Sequence, residues 1–171
     1  MKKLNLKRFI WLGVPFIFII GSLLHFAYDL FPSIIVSIFA PINESIWEHT
    51  KLIFYPTVLW YFLYFFLATK DELLVKSKWF TSCVVSVITG IILVPLLFYF
   101  YTSAFGTESL VIDILIFFIA VLAGQLTAMH FYRYSKGLKT IWSLNILLIV
   151  FAIYIIFTFT PPSLPLFTDF S

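Results

Sequence analysis

The sequence is short of charge. Only 11% of its 171 residues are Asp, Glu, Lys or Arg, where a water-soluble domain carries about 25%. A chain this poor in charge cannot clothe a water-facing surface, so the bilayer is the expected solvent. Cysteine is nearly absent: the one residue, Cys83, excludes an intrachain disulfide and a cysteine-based metal cluster, and reads as a small core hydrophobe. The six glycines form no phosphate-cradling loop. Neither the H-E-x-x-H helix motif nor a G-x-S-x-G elbow occurs. There is no internal repeat and no low-complexity linker, so residues 1–171 read as a single membrane domain. No nucleic-acid partner is expected.

What the chain does have is apolar surface, 62% of residues hydrophobic and 21% aromatic. Crossing a hydrocarbon core takes about 20 apolar residues, and five runs qualify: 9–27, 52–69, 79–101, 110–132 and 141–160. All five are expected to be helices, because lipid offers no partner for an unpaired amide and the runs lack strand-like alternation. The fold class is therefore all-α, a membrane protein with five transmembrane helices. The basic N-terminus before the first run imitates a signal peptide, but the run is long and no small-residue cleavage pair follows. It reads as a retained first span. Residues 31–40, bounded by Pro32 and Pro41, are too few to span and suit an interfacial or re-entrant segment. Pro15, Pro56 and Pro95 fall inside spans one, two and three, where each removes a helical hydrogen bond. The Pro-rich tail, 161–171, is expected to lie back on the membrane surface, where it would lid the outer site and supply Asp169.

If the spans alternate, every basic residue except Lys51 falls on one side: Lys2, Lys3, Lys7 and Arg8, then Lys70, Lys76 and Lys78, then Arg133, Lys136 and Lys139. The positive-inside rule makes that side the cytoplasm, with the N-terminus inside and the C-terminus outside. Asp71 and Glu72 are cytoplasmic on this scheme. Asp29, Glu44, Glu48, Glu108, Asp113 and Asp169 collect at the outer face.

The polar residues converge on one stretch, Asn43-Glu44-Ser45-Ile46-Trp47-Glu48-His49-Thr50-Lys51. A helix starting at Asn43 would put Glu44, Glu48 and Lys51 on one face and Ser45 and His49 on the next. Carboxylate and imidazole side by side offer general acid and base, or metal ligands. Ser45 and Glu48 also fit a reciprocal capping box, and Trp47 an interfacial aromatic belt. His25 and Asp29 stand at i and i+4, with Tyr28 as a nearby donor. Asp113, a turn inside the fourth run, needs a partner, with Lys51 or His25 as candidates. The candidate catalytic set is thus Glu44, Glu48, His49, His25 and Asp29, with Asn43, Ser45, Trp47, Lys51, Tyr28 and Asp113 binding or orienting. His25, Glu44, Glu48 and His49 are the candidate ligands for a divalent metal. His130, Gln125 and Asn145 read as structural, the last two bonding between helices.

The stretch from Pro41 to Lys51, the His25-Phe26-Ala27-Tyr28 piece and the tail around Pro161-Pro162-Ser163-Leu164-Pro165 resemble, across the whole chain, a family of small uncharacterised bacterial integral membrane proteins with an N-E-S-x-W-E-H-x-K signature. The chain departs from that family at Ser163, where the family often carries a histidine, and after Asp169, where the family continues into a glycine-containing end. The resemblance implies a multi-pass protein of the bacterial inner membrane. It implies no chemistry. The residues themselves favour a membrane-embedded hydrolase or transferase acting on a lipid or lipid-linked substrate. A non-catalytic sensor or assembly partner is the alternative. A small-solute or ion-coupled transporter fits less well, since the spans offer few polar residues for a path through the membrane and no repeat is present.

Overall fold

The structure, a computed structural model, describes residues 6–67 and 74–169. Lys2, Lys3, Lys70, Asp71 and Glu72 lie outside the described residues, as do the end of the expected second span, 68–69, the last two residues of the tail and the side chain of Lys7. The described chain runs α1 (Leu6–His25), α2 (Ala27–Leu30), α3 (Ile34–Phe39), α4 (Ile46–His49), α5 (Lys51–Leu67), α6 (Lys76–Phe105), α7 (Leu110–Tyr134) and α8 (Thr140–Phe159), then a 3₁₀ turn at Pro165–Phe167. No strand occurs among the described residues. Five helices are long and apolar enough to cross a membrane: α1 from Arg8, α4 with α5 as Ile46–Leu67, α6, α7 and α8.

Two boundaries differ from those the apolar runs suggest. The second long helix begins at Ile46 rather than 52, because Glu48, Thr50 and Lys51 find partners inside the bundle and so do not end the helix. The third runs four residues past its apolar run, to Phe105, and stops where Gly106 turns left-handed (φ 65°) and returns its amide to Thr102 O. At about 1.5 Å per residue α6 is about 45 Å long, more than the roughly 30 Å of a hydrocarbon core.

Helix α5 is the most buried of the five and α8 the least. α5 lies between α1 and α6, α6 packs most extensively on α7, α7 also meets α1, and α8 closes against α6. At one end an aromatic cluster joins the helices. Trp79 is fully buried, donates to Tyr61 O at 3.0 Å, and has the rings of Tyr61 and Tyr64 each 4.6 Å away. The 7–8 connection is pinned here: Leu138 N donates to Thr81 Oγ1 at 2.8 Å. Arg8, Lys76, Lys78, Arg133, Lys136 and Lys139 flank this end, and His130 sits exposed near it, its ring against Tyr134. Midway, Gln125 donates to Ser86 Oγ across α7 and α6 at 2.9 Å, the interhelical role its position suggests. Asn145, by contrast, lies on the exposed face of α8.

Pro15, Pro56 and Pro95 do fall inside α1, α5 and α6. Pro56 has a specific consequence. It lacks the amide that would bond Leu52 O, and that carbonyl faces Gly21 of α1, where a Cβ would lie only 2.7 Å away. The short apolar segment 31–40 forms α3, capped by Ser33 Oγ on Val36 N at 3.2 Å, and Ile34 and Ile35 are 74% and 72% exposed.

Candidate functional site

At the end of the bundle opposite the basic cluster, the polar stretch folds as a turn followed by a helix start. Asn43 Oδ1 accepts the amide of Ser45 at 3.0 Å, and Ser45, extended at ψ 147°, accepts the amide of Glu48 at 3.4 Å. This is half of the expected capping box. The other half is absent: the Glu48 carboxylate reaches Ile42 N at 3.0 Å instead of Ser45 N, which Asn43 already holds. Because the helix starts at Ile46 and not at Asn43, Glu44 stands outside it and does not share a face with Glu48 and Lys51.

The stretch therefore splits into two sites. Glu48 and Lys51 turn inward as a buried ion pair, Nζ to Oε2 at 2.7 Å, with side chains 3% and 0% exposed. Lys51 Nζ also donates to Ser37 O at 2.8 Å and Ala40 O at 3.3 Å, so all three of its protons have acceptors. Glu48 accepts further from Ile42 N and, on Oε1, from Thr158 of α8 at 3.3 Å, whose one hydroxyl proton is shared with Tyr154 O at 2.8 Å. With those partners filled, the pair acts as a clasp tying α3, α4 and α8 together.

Glu44 and His49 turn the other way. His49 Nε2 is 3.3 Å from Glu44 Oε2, and Nδ1 is 2.9 Å from Ser45 O. A carbonyl can only accept, so Nδ1 carries the proton and fixes the ring. With the ring in its imidazolium form Nε2 carries a proton as well, and the hydrogen bond it gives holds the Glu44 carboxyl below its ordinary range, although partial burial opposes this. His25, the last residue of α1, brings its ring to 5.1 Å from that of His49. One ligating atom from each of His25, Glu44 and His49 lies within 4.8 Å of the other two.

These three side chains form one wall of a cavity of about 260 Å³. Glu108 and Asp113 add carboxylates, and Ile46, Leu52, Val94, Phe98, Leu110, Ile116 and Phe117 line the rest. Asp113 is held in place by Tyr101, whose hydroxyl donates to Oδ1 at 2.7 Å and accepts Ser109 N at 3.1 Å. Asp113 thus has a tyrosine for its partner rather than Lys51 or His25. A Tyr101→Phe change is expected to lower the unfolding free energy by about 1 kcal/mol, measurable by denaturant titration in detergent, since Asp113 and Ser109 N each lose a bond.

The other sequence candidates sit around this cavity rather than in it. Asp29 is exposed on α2, Tyr28 is half-buried, and neither lines the cavity. Trp47 points to the opposite side of α4, its ring 5.0 Å from both Tyr154 and Phe167. Phe167 belongs to the tail, so the tail folds back onto the polar stretch, but at Trp47 and not over the cavity: no tail residue lines the cavity among the described residues, and the expected lid carrying Asp169 is not seen there. Glu108 and Tyr101 are the site residues that sequence reasoning did not single out. Glu108 read as one more outer acid, and a tyrosine near the end of an apolar run carries no signal of its own.

The model of a family of unknown function, DUF6512, matches residues 1–171 of the chain. No curated protein and no solved structure matches it.

Proposed function

Because the chain belongs to this family of unknown function, its activity must be read from its own site, and we propose that it is an integral membrane hydrolase or transferase acting on a lipid or lipid-linked substrate. The observation that carries this reading is the make-up of the cavity. Two imidazoles and three carboxylates face a largely apolar remainder at one end of a bundle whose five long helices suit a bilayer. A polar headgroup would meet His25, Glu44, His49 and Asp113, and an acyl or prenyl chain would lie along Phe98, Ile116 and Phe117. Asp113, oriented by Tyr101, suits the role of base toward an attacking water or hydroxyl. Glu48 and Lys51 support the site by fixing α4 and do not meet the substrate.

The orientation follows from charge. Arg8, Lys76, Lys78, Arg133, Lys136 and Lys139 flank the end away from the cavity, which supports a cytoplasmic position for that end and an outer-leaflet position for the site. The test uses the full chain in lipid nanodiscs, with glycerophospholipids and polyprenyl-phosphate-linked substrates as probes and mass spectrometry as readout. Wild type is expected to release a headgroup, acyl or glycosyl product. Asp113→Asn is expected to slow this about 10²- to 10⁴-fold. No turnover of any of these lipids by wild type, or equal turnover by the variant, would overturn the reading.

A further inference from the structure

We propose that His25, Glu44 and His49 bind a divalent transition metal of the zinc class. Their three ligating atoms come from three separate pieces of chain: the end of α1, the turn before α4 and the end of α4. Zinc bound by nitrogen and oxygen at about 2.0–2.1 Å sets neighbouring ligand atoms about 3.3 Å apart in a tetrahedron. His49 Nε2 and Glu44 Oε2 already stand 3.3 Å apart. The His25 atom lies within 4.8 Å of both, and metal binding would draw it in to complete the set.

The surroundings of each ring agree. His49 gives its Nδ1 proton to Ser45 O, the outer-shell bond that directs the lone pair of the other nitrogen toward a metal. His25 Nδ1 is buried and has no hydrogen-bond partner among the described residues. Buried polar atoms are ordinarily paired, so the His25 ring is not explained by protein contacts. An imidazolium–carboxylate pair between His49 and Glu44 accounts for those two residues but leaves His25 unexplained. A metal taken on His25 Nδ1 would account for all three.

The donor set also selects the ion. Two imidazoles and one carboxylate suit zinc and its late first-row neighbours, whereas magnesium and calcium take oxygen ligands almost throughout. Glu48 is excluded as a ligand because its carboxylate is occupied by Lys51, Ile42 N and Thr158. A fourth position would open onto the cavity, which Asp113 and Glu108 also line.

The proposal shares its cavity with the lipid hydrolase or transferase reading but is tested without it. The full chain, carrying an affinity tag free of histidine, is stripped with a chelator in detergent, reloaded with Zn²⁺ and desalted, and its metal is measured by elemental analysis. About one equivalent per chain is expected, and Co²⁺ in its place should give the visible bands of a four- or five-coordinate site. Glu44→Gln, in a half-exposed turn where it spares the fold, and His25→Ala should each weaken retention by more than the roughly 10- to 100-fold seen on losing an outer-shell partner. Wild type that retains neither ion, or variants that retain them equally, would overturn the site. Metal bound without lipid turnover leaves the site standing and removes the enzyme reading; turnover without metal does the reverse.

Discussion

Lys51→Ala is expected to destabilise the protein by about 3–5 kcal/mol, the range for breaking a buried ion pair from one side. The Lys51 side chain is 0% exposed and donates to the Glu48 carboxylate and to two carbonyls, Ser37 O and Ala40 O. Its removal leaves a carboxylate out of contact with water and two backbone acceptors unserved. Ile42 N and Thr158 still reach the carboxylate, but neither brings a charge. The pair as a whole is worth much less than this figure, because both ions were desolvated to form it. The double change Glu48→Gln with Lys51→Met is therefore expected to recover most of the loss. Unfolding of the purified variants in mixed micelles checks both statements. A Lys51→Ala protein within about 1 kcal/mol of wild type, a loss fit for an exposed pair, would show that the clasp does not bear on stability.

Gly21→Val is expected to cost about 3 kcal/mol, the upper part of the overpacking range, and to loosen the proposed metal site as well. A Cβ at Gly21 would come 2.5 Å from Phe117 Cζ and 2.7 Å from Leu52 O. The phenylalanine ring can swing aside. The Leu52 carbonyl is backbone, so α1 and α5 must separate. His25 stands one turn further along α1 on the same face, and its ring would move away from His49. Zinc retention is expected to fall about 10-fold or more with every ligand intact, as when an outer-shell support is lost. Leu23→Ala, at a position 64% exposed on the same helix, serves as the control and should leave zinc retention unchanged. Equal retention by Gly21→Val and Leu23→Ala would separate the glycine from the site.

The five long helices were legible because each is a long apolar run, and periodicity hardly entered. Their ends were legible only where composition changes. The start at Ile46 was hidden, since Glu48, Thr50 and Lys51 look like surface residues until Thr158 and Tyr154 supply partners more than a hundred positions away. The site was legible as a stretch but not as a geometry. Spacing grouped Glu44 with Glu48, whereas the Asn43 side chain moves the helix start past Glu44 and sends the two carboxylates to opposite sides. His25 was found as a costly polar residue near the end of a span, yet its meeting with His49 depends on how α1 packs on α5. Asp29 was chosen by i, i+4 spacing, and that spacing loses its meaning because α1 ends at His25 and a separate turn of helix begins at Ala27.

The link between Glu48 and Thr158 also bears on the order of assembly. A chain made from its N-terminus can form the Glu48–Lys51 pair as soon as α5 is in place, but Glu48 Oε1 receives Thr158, and Thr50 receives the Tyr154 hydroxyl, only when α8 arrives. The last helix to emerge thus completes the polar heart of the second. An intermediate without α8 carries a half-served carboxylate and an uncovered Trp47, whose ring rests on Tyr154 and Phe157 in the finished fold. Partly assembled chains expose such surface to misassociation and to quality-control factors. Docking of α8 thus closes over the one oxygen of the Glu48 carboxylate that the N-terminal part of the chain leaves unserved, and over the Trp47 ring.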